Sequence, residues 1–257
     1  MDLGLTGKRA LVTASSGGLG FACAHALSQE GATVAVASRD PERAQQAAET
    51  IGTPHAYDVD VSDKVSLETL FANATSDLGG LDVLICNAGG PPPGGFTALA
   101  EDKWDLAYQL TLQSVVRSVR LALPHFEKAG AGVIVVIASS SVKSPIPNLL
   151  LSNVFRPAIQ GLCKSLAIEL APKNIRVLCL SPGRIETDRV NQLDHVKADR
   201  EGKDFDSVRQ ASLANIPMGR LGEPAEFGRV AAFLCSEAAS YMTGSTLFVD
   251  GGSVKCL

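Results

Sequence analysis

No segment of this sequence is apolar over a length that could cross a lipid bilayer. The longest wholly apolar stretches, such as residues 133–138, are far shorter than the roughly 20 residues that a membrane-spanning helix requires. The first four residues, Met1-Asp2-Leu3-Gly4, do not form the positive segment and apolar stretch of a secretory signal. We therefore expect a cytoplasmic protein with no membrane partner.

Positive charge and aromatic side chains are also scarce. The chain carries 23 Lys and Arg residues against 27 Asp and Glu residues, a net charge of −4 at pH 7, and only 5% of its residues are aromatic. Proteins that bind nucleic acids neutralise phosphates with basic clusters, and those that bind single strands stack bases on aromatic rings. The composition therefore argues against a nucleic-acid partner.

Paired metal ligands are missing as well. None of the six cysteines forms a CxxC pair, and the four histidines are not placed at metal-ligand spacing. We predict no metal site. The cysteines are expected to be reduced and buried, as in a cytosolic protein, and they are Cys23, Cys86, Cys163, Cys179, Cys235 and Cys256.

Short apolar segments alternate with segments of helical periodicity along the whole chain. The apolar segments predict strands at residues 9–13, 33–37, 83–86, 133–138, 175–180 and 246–249. Continuously apolar strands separated by helices are typical of a parallel sheet that is covered on both faces. We therefore predict one domain over residues 1–257, with an α/β, Rossmann-type doubly wound fold that binds ligands at the carboxyl ends of its strands.

A glycine-rich loop follows the first predicted strand directly. It runs from Thr13 to Gly20 and reads TASSGGLG, and a helical pattern follows it. Small residues let the backbone approach a pyrophosphate, and a helix N-terminus supplies amide donors and positive potential. The loop is a candidate dinucleotide site, and a tight turn without a ligand is the alternative. It is not a P-loop kinase motif, because Gly7-Lys8 is followed by Arg9 instead of Ser or Thr.

The end of the second predicted strand bears on the choice of cofactor. An acidic residue at this position would bind the hydroxyls of the adenine ribose, but the sequence has Ser38 there, followed by Arg39. A guanidinium group suits a 2′-phosphate. We expect NADP rather than NAD. The alternative is that Arg39 is a solvated charge and that Asp40 only caps the next helix.

Together these motifs resemble the classical short-chain dehydrogenase/reductase family, and the resemblance covers essentially the whole chain. Residues 13–20 resemble its TGxxxGxG loop with Ala14 for the first Gly, and residues 86–89 its NNAG motif with Cys86 for one Asn. Residues 58–61 are similar to its adenine-contacting segment, 181–187 to its PGxxxT segment, and 241–244 and 249–252 to its C-terminal signature. With the strand-end pair above, the resemblance implies an NADP(H) site formed by Thr13, Ser15, Ser16, Gly18, Leu19, Gly20, Ser38, Arg39, Asp60, Val61, Asn87, Ala88, Gly89, Arg156, Pro182, Gly183, Ile185 and Thr187.

The resemblance also implies a catalytic set, from which this chain departs. Family members usually carry Asn, Ser, Tyr and Lys, and the matching positions here are Thr111, Ser139, Ser152 and Arg156. YxxxK has thus become SxxxR. A serine hydroxyl is a much weaker acid than a phenol, and a guanidinium group holds ribose hydroxyls but keeps its proton at pH 7.

Two functions remain open at this point. The first is an NADP-dependent oxidoreductase with an atypical proton donor that acts on a carbonyl/alcohol pair. By overall pattern it resembles the 3-oxoacyl-carrier-protein reductases. The second is a non-catalytic NADP-binding sensor or structural protein that retains the cofactor site. Lys143 and His195 are candidate replacement acids, with solvated loop residues as the alternative for each.

Four cations fall in segments that border the active site if the resemblance holds. Lys143, Arg156, Arg184 and Arg189 are then expected to form a pocket for a carboxylate, a phosphate or a thioester-linked carrier, with solvated arginines as the alternative. By the same resemblance, the polar residues 190–215 are expected to form a substrate lid. The family resemblance further implies a homotetramer.

Pro157 is the last departure from the family pattern. Proline removes a helix hydrogen bond and disfavours the helical conformation of the residue before it, Arg156. We therefore predict that a helix starts or kinks within a residue or two of Pro157.

Overall fold

The computed structural model describes residues 2–256 and contains one sheet of seven strands. The strands are β1 (Arg9–Val12), β2 (Thr33–Ser38), β3 (Ala56–Asp58), β4 (Val83–Cys86), β5 (Gly132–Ile137), β6 (Ile175–Pro182) and β7 (Thr246–Val249). Their order in the sheet is β3-β2-β1-β4-β5-β6-β7, and all neighbouring pairs are parallel.

Helices connect the strands. They are α1 (Gly18–Gln29), α2 (Pro41–Ile51), α3 (Lys64–Asp77), α4 (Glu101–Ala107), α5 (Ser114–Ala129), α6 (Leu150–Leu170), α7 (Asp188–Glu201), α8 (Phe205–Leu213) and α9 (Pro224–Cys235). A π-helical segment, Tyr108–Gln113, joins α4 to α5. Within residues 2–256, no helix is long and apolar enough to cross a membrane.

Successive residues of the central strands face opposite layers of helices. Leu11 in β1 packs in the core formed with α3, α5 and α6, whereas Ala10 and Val12 pack in the core formed with α1, α2 and α9. Because both faces of the strand are covered, its residues are apolar without alternation. The predicted doubly wound fold is confirmed.

The sequence pattern locates six of the strands to within two residues at each end and misses β3. This strand has only three residues, Ala56–Asp58, and none of them is fully buried. A short edge strand of this kind produces no apolar run. The polar segment expected to form a lid contains most of α7 and all of α8.

The predicted helix start near Pro157 is wrong. Helix α6 begins at Leu150 and continues without a break through Pro157 to Leu170. The side chain of Asn153 supports its first turn, because it accepts from the Ile146 amide and donates to the Ile146 carbonyl, each at 2.9 Å. Burial of one face of α6 against the sheet outweighs the hydrogen bond that proline removes.

The expectation that all cysteines are buried holds for five of them. Cys256 is exposed, because it lies in the C-terminal segment that follows the last strand. All six are free thiols.

Helices α1 and α9 pack backbone to backbone. A Cβ atom on Gly228 of α9 would lie 2.3 Å from the carbonyl oxygen of Ala22 in α1. Gly161 of α6 is the opposite case, since a Cβ atom there would meet no atom within 4 Å. The two helical glycines therefore differ in what an added methyl group encounters.

We predict that Gly228→Ala lowers the free energy of unfolding by about 1–3 kcal/mol, because the helices must move apart. Gly161→Ala, the matched control, should raise it by roughly 0.5–1 kcal/mol through helix propensity. Urea unfolding of both variants measures these changes. A Gly228→Ala protein as stable as the Gly161→Ala protein would contradict the helix contact.

Candidate active site

The carboxyl ends of the strands meet along one edge of the sheet, where the glycine-rich loop joins β1 to α1. The Thr13 hydroxyl donates to the Asn87 carbonyl at 2.7 Å and accepts from the Asn87 amide at 2.8 Å. The Asn87 side-chain amide donates to the carbonyl of Ala14 at 2.9 Å. These three hydrogen bonds fix the loop to the segment that follows β4, and they bring together two residues of the predicted cofactor site.

Gly20 lets the backbone of this loop fold tightly. A Cβ atom at this position would lie 2.3 Å from the Ala14 carbonyl oxygen and 2.6 Å from the side-chain nitrogen of Asn87. Gly17 is the N-cap of α1 and offers no side chain to the first amides, and Gly18, at φ +54°, is exposed. Uncapped amides at a helix N-terminus bind phosphate oxygens. The cradle fits the pyrophosphate of a dinucleotide.

Two other predicted loop residues use their side chains to hold the loop itself. Ser15 is fully buried, and its hydroxyl donates to the Val12 carbonyl at 2.7 Å and accepts from the Ala37 amide at 3.0 Å. Leu19 packs against the apolar core. Ala14 adopts φ +47°, a left-handed conformation that costs an alanine roughly 1–2 kcal/mol.

A group of hydroxyl and guanidinium side chains lies where β2 ends. The hydroxyls of Ser16 and Ser38 are 2.7 Å apart, and Arg39, which is exposed, follows Ser38. Arg43, which sequence reasoning missed, reaches back from the first turn of α2, so that its Nη2 is 3.2 Å from the place of a Cβ atom on Gly17. Ser16, Gly17 and Arg43 line one cavity of about 290 Å³. The group suits a phosphate monoester.

One signal in the sequence could have located Arg43. Asp40 caps α2 by accepting from the Arg43 backbone amide at 3.1 Å. A residue three positions after an N-cap belongs to the first turn of its helix. Its side chain therefore starts near the end of the preceding strand, where the cofactor is expected.

Asp60 and Val61 lie on the adenine side of the predicted site. The Asp60 carboxylate accepts from the Ser62 amide at 2.9 Å and from the Ser62 hydroxyl at 2.6 Å. Burial alone would raise the pKa of Asp60, but these hydrogen bonds and the charge of Arg39 outweigh it and lower the pKa. Val61 is buried in the core. The Asp60 side chain therefore orders this turn and responds to the charge of Arg39.

The segment after β6 closes on the glycine-rich loop. Gly183, which follows Pro182 at the end of β6, is tightly packed, since a Cβ atom on it would lie 2.6 Å from the Cα of Asp250. Ile185 is buried, and Thr187 caps α7. The methyl group of Thr187 is 3.7 Å from the place of a Cβ atom on Gly18. The structure thus brings the PGxxxT-like segment to the N-terminus of α1.

The segment after β4 leaves space beside this junction. Ala88 packs against the apolar core, whereas Gly89 is exposed. A Cβ atom on Gly89 would meet no atom within 4 Å. The backbone at Gly89 is accessible to a ligand.

Three serines lie in the region of the predicted catalytic residues, and the contact between Ser141 and Ser152 was not predicted from the sequence. Ser139 follows β5, and its hydroxyl accepts from the Ser141 amide at 3.1 Å. The hydroxyls of Ser141 and Ser152 are 3.0 Å apart, and the Ser141 hydroxyl donates to the Ser152 carbonyl at 3.3 Å. Either hydroxyl can be the donor within the pair, so the Ser152 hydroxyl is paired within the fold. Ser139, in contrast, has no acceptor for its proton among the described residues.

Arg156 is a buried cation at the carboxyl end of β5. The residue is 8% exposed, and its Nη1 donates to the Ile137 carbonyl at 2.7 Å. Its Nε has no hydrogen-bond partner within residues 2–256. Burial lowers the pKa of Arg156 to about 10, and the charge of Arg189 contributes in the same direction. The guanidinium group still carries its charge at pH 7.

Thr111 lies in the π-helical segment that precedes α5. It is 2% exposed, and its hydroxyl has no partner in the part of the chain that the structure describes. The same holds for Oε1 of Gln109, two residues earlier. Single π-helical turns often occur at functional sites. The Thr111 hydroxyl therefore keeps its capacity to bond a water molecule or a ligand.

The two candidate replacement acids are both exposed. Lys143 lies in the loop after β5, and its carbonyl accepts from the Cys256 thiol at 3.8 Å. His195 lies on α7 and stacks on Phe205 of α8, with ring centroids 4.5 Å apart. His195 thus contributes to the contact between α7 and α8.

Two of the four cations expected to form a pocket have other surroundings. Arg184 forms an ion pair with Asp194, which is 1% exposed, so its charge is neutralised. Lys143 is exposed. Arg156 and Arg189 are left without an acidic partner among the described residues.

Comparisons with known proteins agree with this geometry. The family model described as "Enoyl-(Acyl carrier protein) reductase" matches residues 13–254. Human "Dehydrogenase/reductase SDR family member 4" is 39% identical to this chain, over 97% of the chain and 88% of its own length. The chain belongs to the short-chain dehydrogenase/reductase family, a family of oxidoreductases.

Solved structures of short-chain dehydrogenase/reductase proteins have the same fold over the whole chain. L-Sorbose reductase from Gluconobacter frateurii, complexed with NADPH and L-sorbose, is 32% identical and has a TM-score of 0.94 over 100% of both chains. YwfH, an NADPH dependent reductase involved in bacilysin biosynthesis, is 29% identical with a TM-score of 0.91, over 97% of this chain and 99% of its own. The family resemblance found in the sequence is confirmed.

The contact between Ser141 and Ser152 is testable by unfolding. Ser141→Ala removes the only partner that the described residues give to the buried Ser152 hydroxyl, so we expect a loss of about 1–3 kcal/mol in unfolding free energy. Ser152→Ala should lower the unfolding free energy by less, because the Ser141 hydroxyl keeps its hydrogen bond to the Ser152 carbonyl. The double variant should lose less than the sum of the two. Ser165→Ala, on the exposed face of α6, is the control, and additive losses would contradict the pairing.

Proposed function

We propose that this short-chain dehydrogenase/reductase is an NADP(H)-dependent oxidoreductase that interconverts a small carbonyl compound and its alcohol. The glycine-rich cradle at the N-terminus of α1, with two guanidinium groups beside it, carries the proposal. L-Sorbose reductase and YwfH, which share the fold, are both described with NADPH. Their cofactor supports NADP(H) for this chain.

Different residues around the cradle bind different parts of the cofactor. Arg39 and Arg43 bind the 2′-phosphate, together with the Ser16 and Ser38 hydroxyls. The amides that begin α1 bind the pyrophosphate. Thr187, next to Gly18, holds the nicotinamide end. When bound, NADPH supplies the hydride.

Reduction also needs a donor for the carbonyl oxygen, and the side chains after β5 share that task. The Ser139 hydroxyl, whose proton is not engaged, donates a hydrogen bond to the carbonyl. Arg156 stabilises the negative charge that develops on this oxygen, and it does so as a cation that keeps its proton. The proton itself does not come from Ser152 or Arg156. Its candidate sources are Lys143, His195 and solvent. Without a phenol in position, the rate is about 10²–10⁴-fold below that of a site with a general acid.

A non-catalytic NADP-binding protein is the second candidate. The observation that favours it is the pairing of the Ser152 hydroxyl with the Ser141 hydroxyl, because Ser152 occupies the position of the family's phenol. Such a protein would bind NADPH as tightly as an enzyme would. It would not oxidise NADPH with any carbonyl substrate.

We include 3-oxoacyl thioesters among the candidate substrates. We further propose that the protein is cytoplasmic and forms a homotetramer. Exposed apolar side chains on α4 and α6, including Leu106, Val154 and Ile168, support association. The ring centroids of Trp104 in α4 and Phe155 in α6 are 6.3 Å apart, so the two helices contact each other. Sedimentation equilibrium determines the number of subunits.

The loss of NADPH absorbance at high enzyme concentration, with 3-oxoacyl thioesters and simple ketones as substrates, distinguishes the two candidates. We expect slow turnover that survives Ser152→Ala. A loss of turnover in Lys143→Ala or His195→Ala identifies the proton donor. NADPH binding without turnover on any substrate would support the non-catalytic protein.

The 2′-phosphate site generates a prediction for cofactor affinity. Arg43→Gln removes one charge-assisted contact, so we expect NADPH to bind about 10–100-fold more weakly. NADH, which lacks the 2′-phosphate, should bind equally to both proteins and is the internal control. Calorimetric titration measures the four affinities. Equal weakening for NADH and NADPH would contradict the assignment of Arg43.

A further inference from the structure

The side chain of Arg189 joins the segment after β6 to the segment after β4. Arg189 is half-buried in the first turn of α7, and its Nη2 donates to the Pro91 carbonyl at 2.8 Å. Its Nη1 donates to the side chain of Gln192 at 3.0 Å, so its own helix also holds the guanidinium group. The contact with Pro91 is therefore made by a side chain whose position is fixed from both ends.

The loop after β4 is shaped to receive this guanidinium group. Gly90 has no side chain, and a Cβ atom there would lie 2.9 Å from Arg189 Nε and 3.0 Å from Nη2. Pro91 is followed by Pro92 and Pro93, whose rings restrict the backbone and so fix the direction of the Pro91 carbonyl. The surface of Gly90 and the Pro91 carbonyl together form the seat of Arg189.

The contact between Arg189 and this seat crosses the carboxyl end of β5. In the sheet, β5 lies between β4, which leads to the seat, and β6, which leads to Arg189. Two strand spacings, roughly 10 Å, separate β4 from β6. The side chain of Arg189 therefore bridges the cleft that opens where β5 ends.

Helices α7 and α8 are held to each other and to the segment after β6. Asp194 of α7 is 1% exposed and forms an ion pair with Arg184, which follows β6. Its Oδ2 also lies 2.8 Å from Nε of Arg209 in α8. The rings of His195 and Phe205, with centroids 4.5 Å apart, add a second contact between the two helices. The two helices and this segment therefore form one packed unit on the β6 side of the cleft.

The bond from Arg189 to Pro91 ties this unit to the opposite side of the cleft. Among the hydrogen bonds within residues 2–256, it is the only one that joins α7 or α8 to residues 87–99. A hydrogen bond with one charged partner changes an equilibrium constant by about tenfold. Breaking this one bond is therefore enough to release the tie, and the bond is strong enough to keep it closed most of the time.

The proposed cofactor lies between the same two segments. On one side Gly89 is exposed and directly precedes Gly90. On the other side Thr187, two residues before Arg189, has its methyl group 3.7 Å from the place of a Cβ atom on Gly18. The tie thus begins one or two residues beyond the positions that border the cradle at the N-terminus of α1.

We propose that Arg189 is a clasp that encloses the dinucleotide, so that NADP(H) enters and leaves only when the bond to Pro91 is broken. This inference rests on the proposed function and adds to it a residue that controls cofactor exchange. Arg189 is a positioning residue here, because its partners belong to the chain itself. In this account the bond is closed both before and after the cofactor binds. It therefore slows association and release alike and cancels from the affinity.

Two other roles of Arg189 have different kinetic signatures. A bond from Arg189 to a cofactor phosphate would be made only in the complex, so its loss would weaken the affinity through faster release alone. A guanidinium group that occupied the cofactor's own space would oppose binding, so its removal would strengthen the affinity. Measuring both rates therefore separates the clasp from these roles.

The test measures NADPH association and release by stopped-flow fluorescence, with excess NADP⁺ to capture free sites during release. Gly90→Ala keeps the charge of Arg189 but blocks its seat, because the added methyl group would lie 2.9 Å from Nε. Arg189→Gln removes the charge. In each variant we expect association and release to be about tenfold faster, with Kd unchanged within about twofold.

Two controls match these variants. Gly95→Ala changes the same loop, at a position where a Cβ atom would meet no atom within 4 Å, and Arg200→Gln removes an exposed charge from α7. Both controls should keep the rates of the unaltered protein. The double variant of Gly90 and Arg189 should exchange NADPH no faster than either single variant, because both changes break one contact.

Other results would overturn the clasp. They are rates in Gly90→Ala and Arg189→Gln equal to those of the controls, a weaker affinity in Arg189→Gln with unchanged association, and a stronger affinity in that variant. NADPH that binds with unaltered rates refutes the clasp alone. No binding of NADPH to the unaltered chain would refute the proposed function together with the clasp, so the two failures are distinguishable.

Discussion

The hydrogen bonds between Thr13 and Asn87 hold together the two loops on which the rest of the site depends. They join the segment after β1 to the segment after β4, and the Asn87 side chain adds a bond to the carbonyl of Ala14. That carbonyl leaves no room for a Cβ atom on Gly20. Once the first turn of α1 is fixed in this way, its amides, the Thr187 methyl group and the serines at the end of β2 share one edge of the sheet.

The catalytic end of the same edge is organised by charge in place of a phenol. The Ser152 hydroxyl is paired with Ser141, whereas Arg156 brings a permanent cation to the end of β5. In the proposed reduction, this cation stabilises an oxyanion without giving up a proton, so electrostatic stabilisation takes the place of proton donation. That proposal follows from the replacement of YxxxK by SxxxR.

Sequence reasoning recovered the features that depend on local pattern. Six apolar strands and the glycine-rich loop were predicted, because burial on both faces and tight turns leave direct marks on residue type. It could not show which of the successive serines faces α6, since the short helical turn after Ser139 turns Ser141 towards Ser152. The cap at Asp40 places Arg43 in the first turn of α2, but the contact of its side chain with the loop before α1 depends on how the two helices pack. The helix start expected near Pro157 was wrong because tertiary burial outweighed the local preference.

The proposed function requires that a dinucleotide binds in the cradle at the N-terminus of α1. Hydrogen–deuterium exchange with and without NADPH tests it directly, because bound phosphates engage the amides that would otherwise exchange. We expect slower exchange in peptides covering residues 13–20, 38–43 and 182–189, with exchange unchanged in residues 121–129, at the end of α5 that leads into the start of β5. Unchanged exchange in all three regions at a saturating NADPH concentration would contradict it.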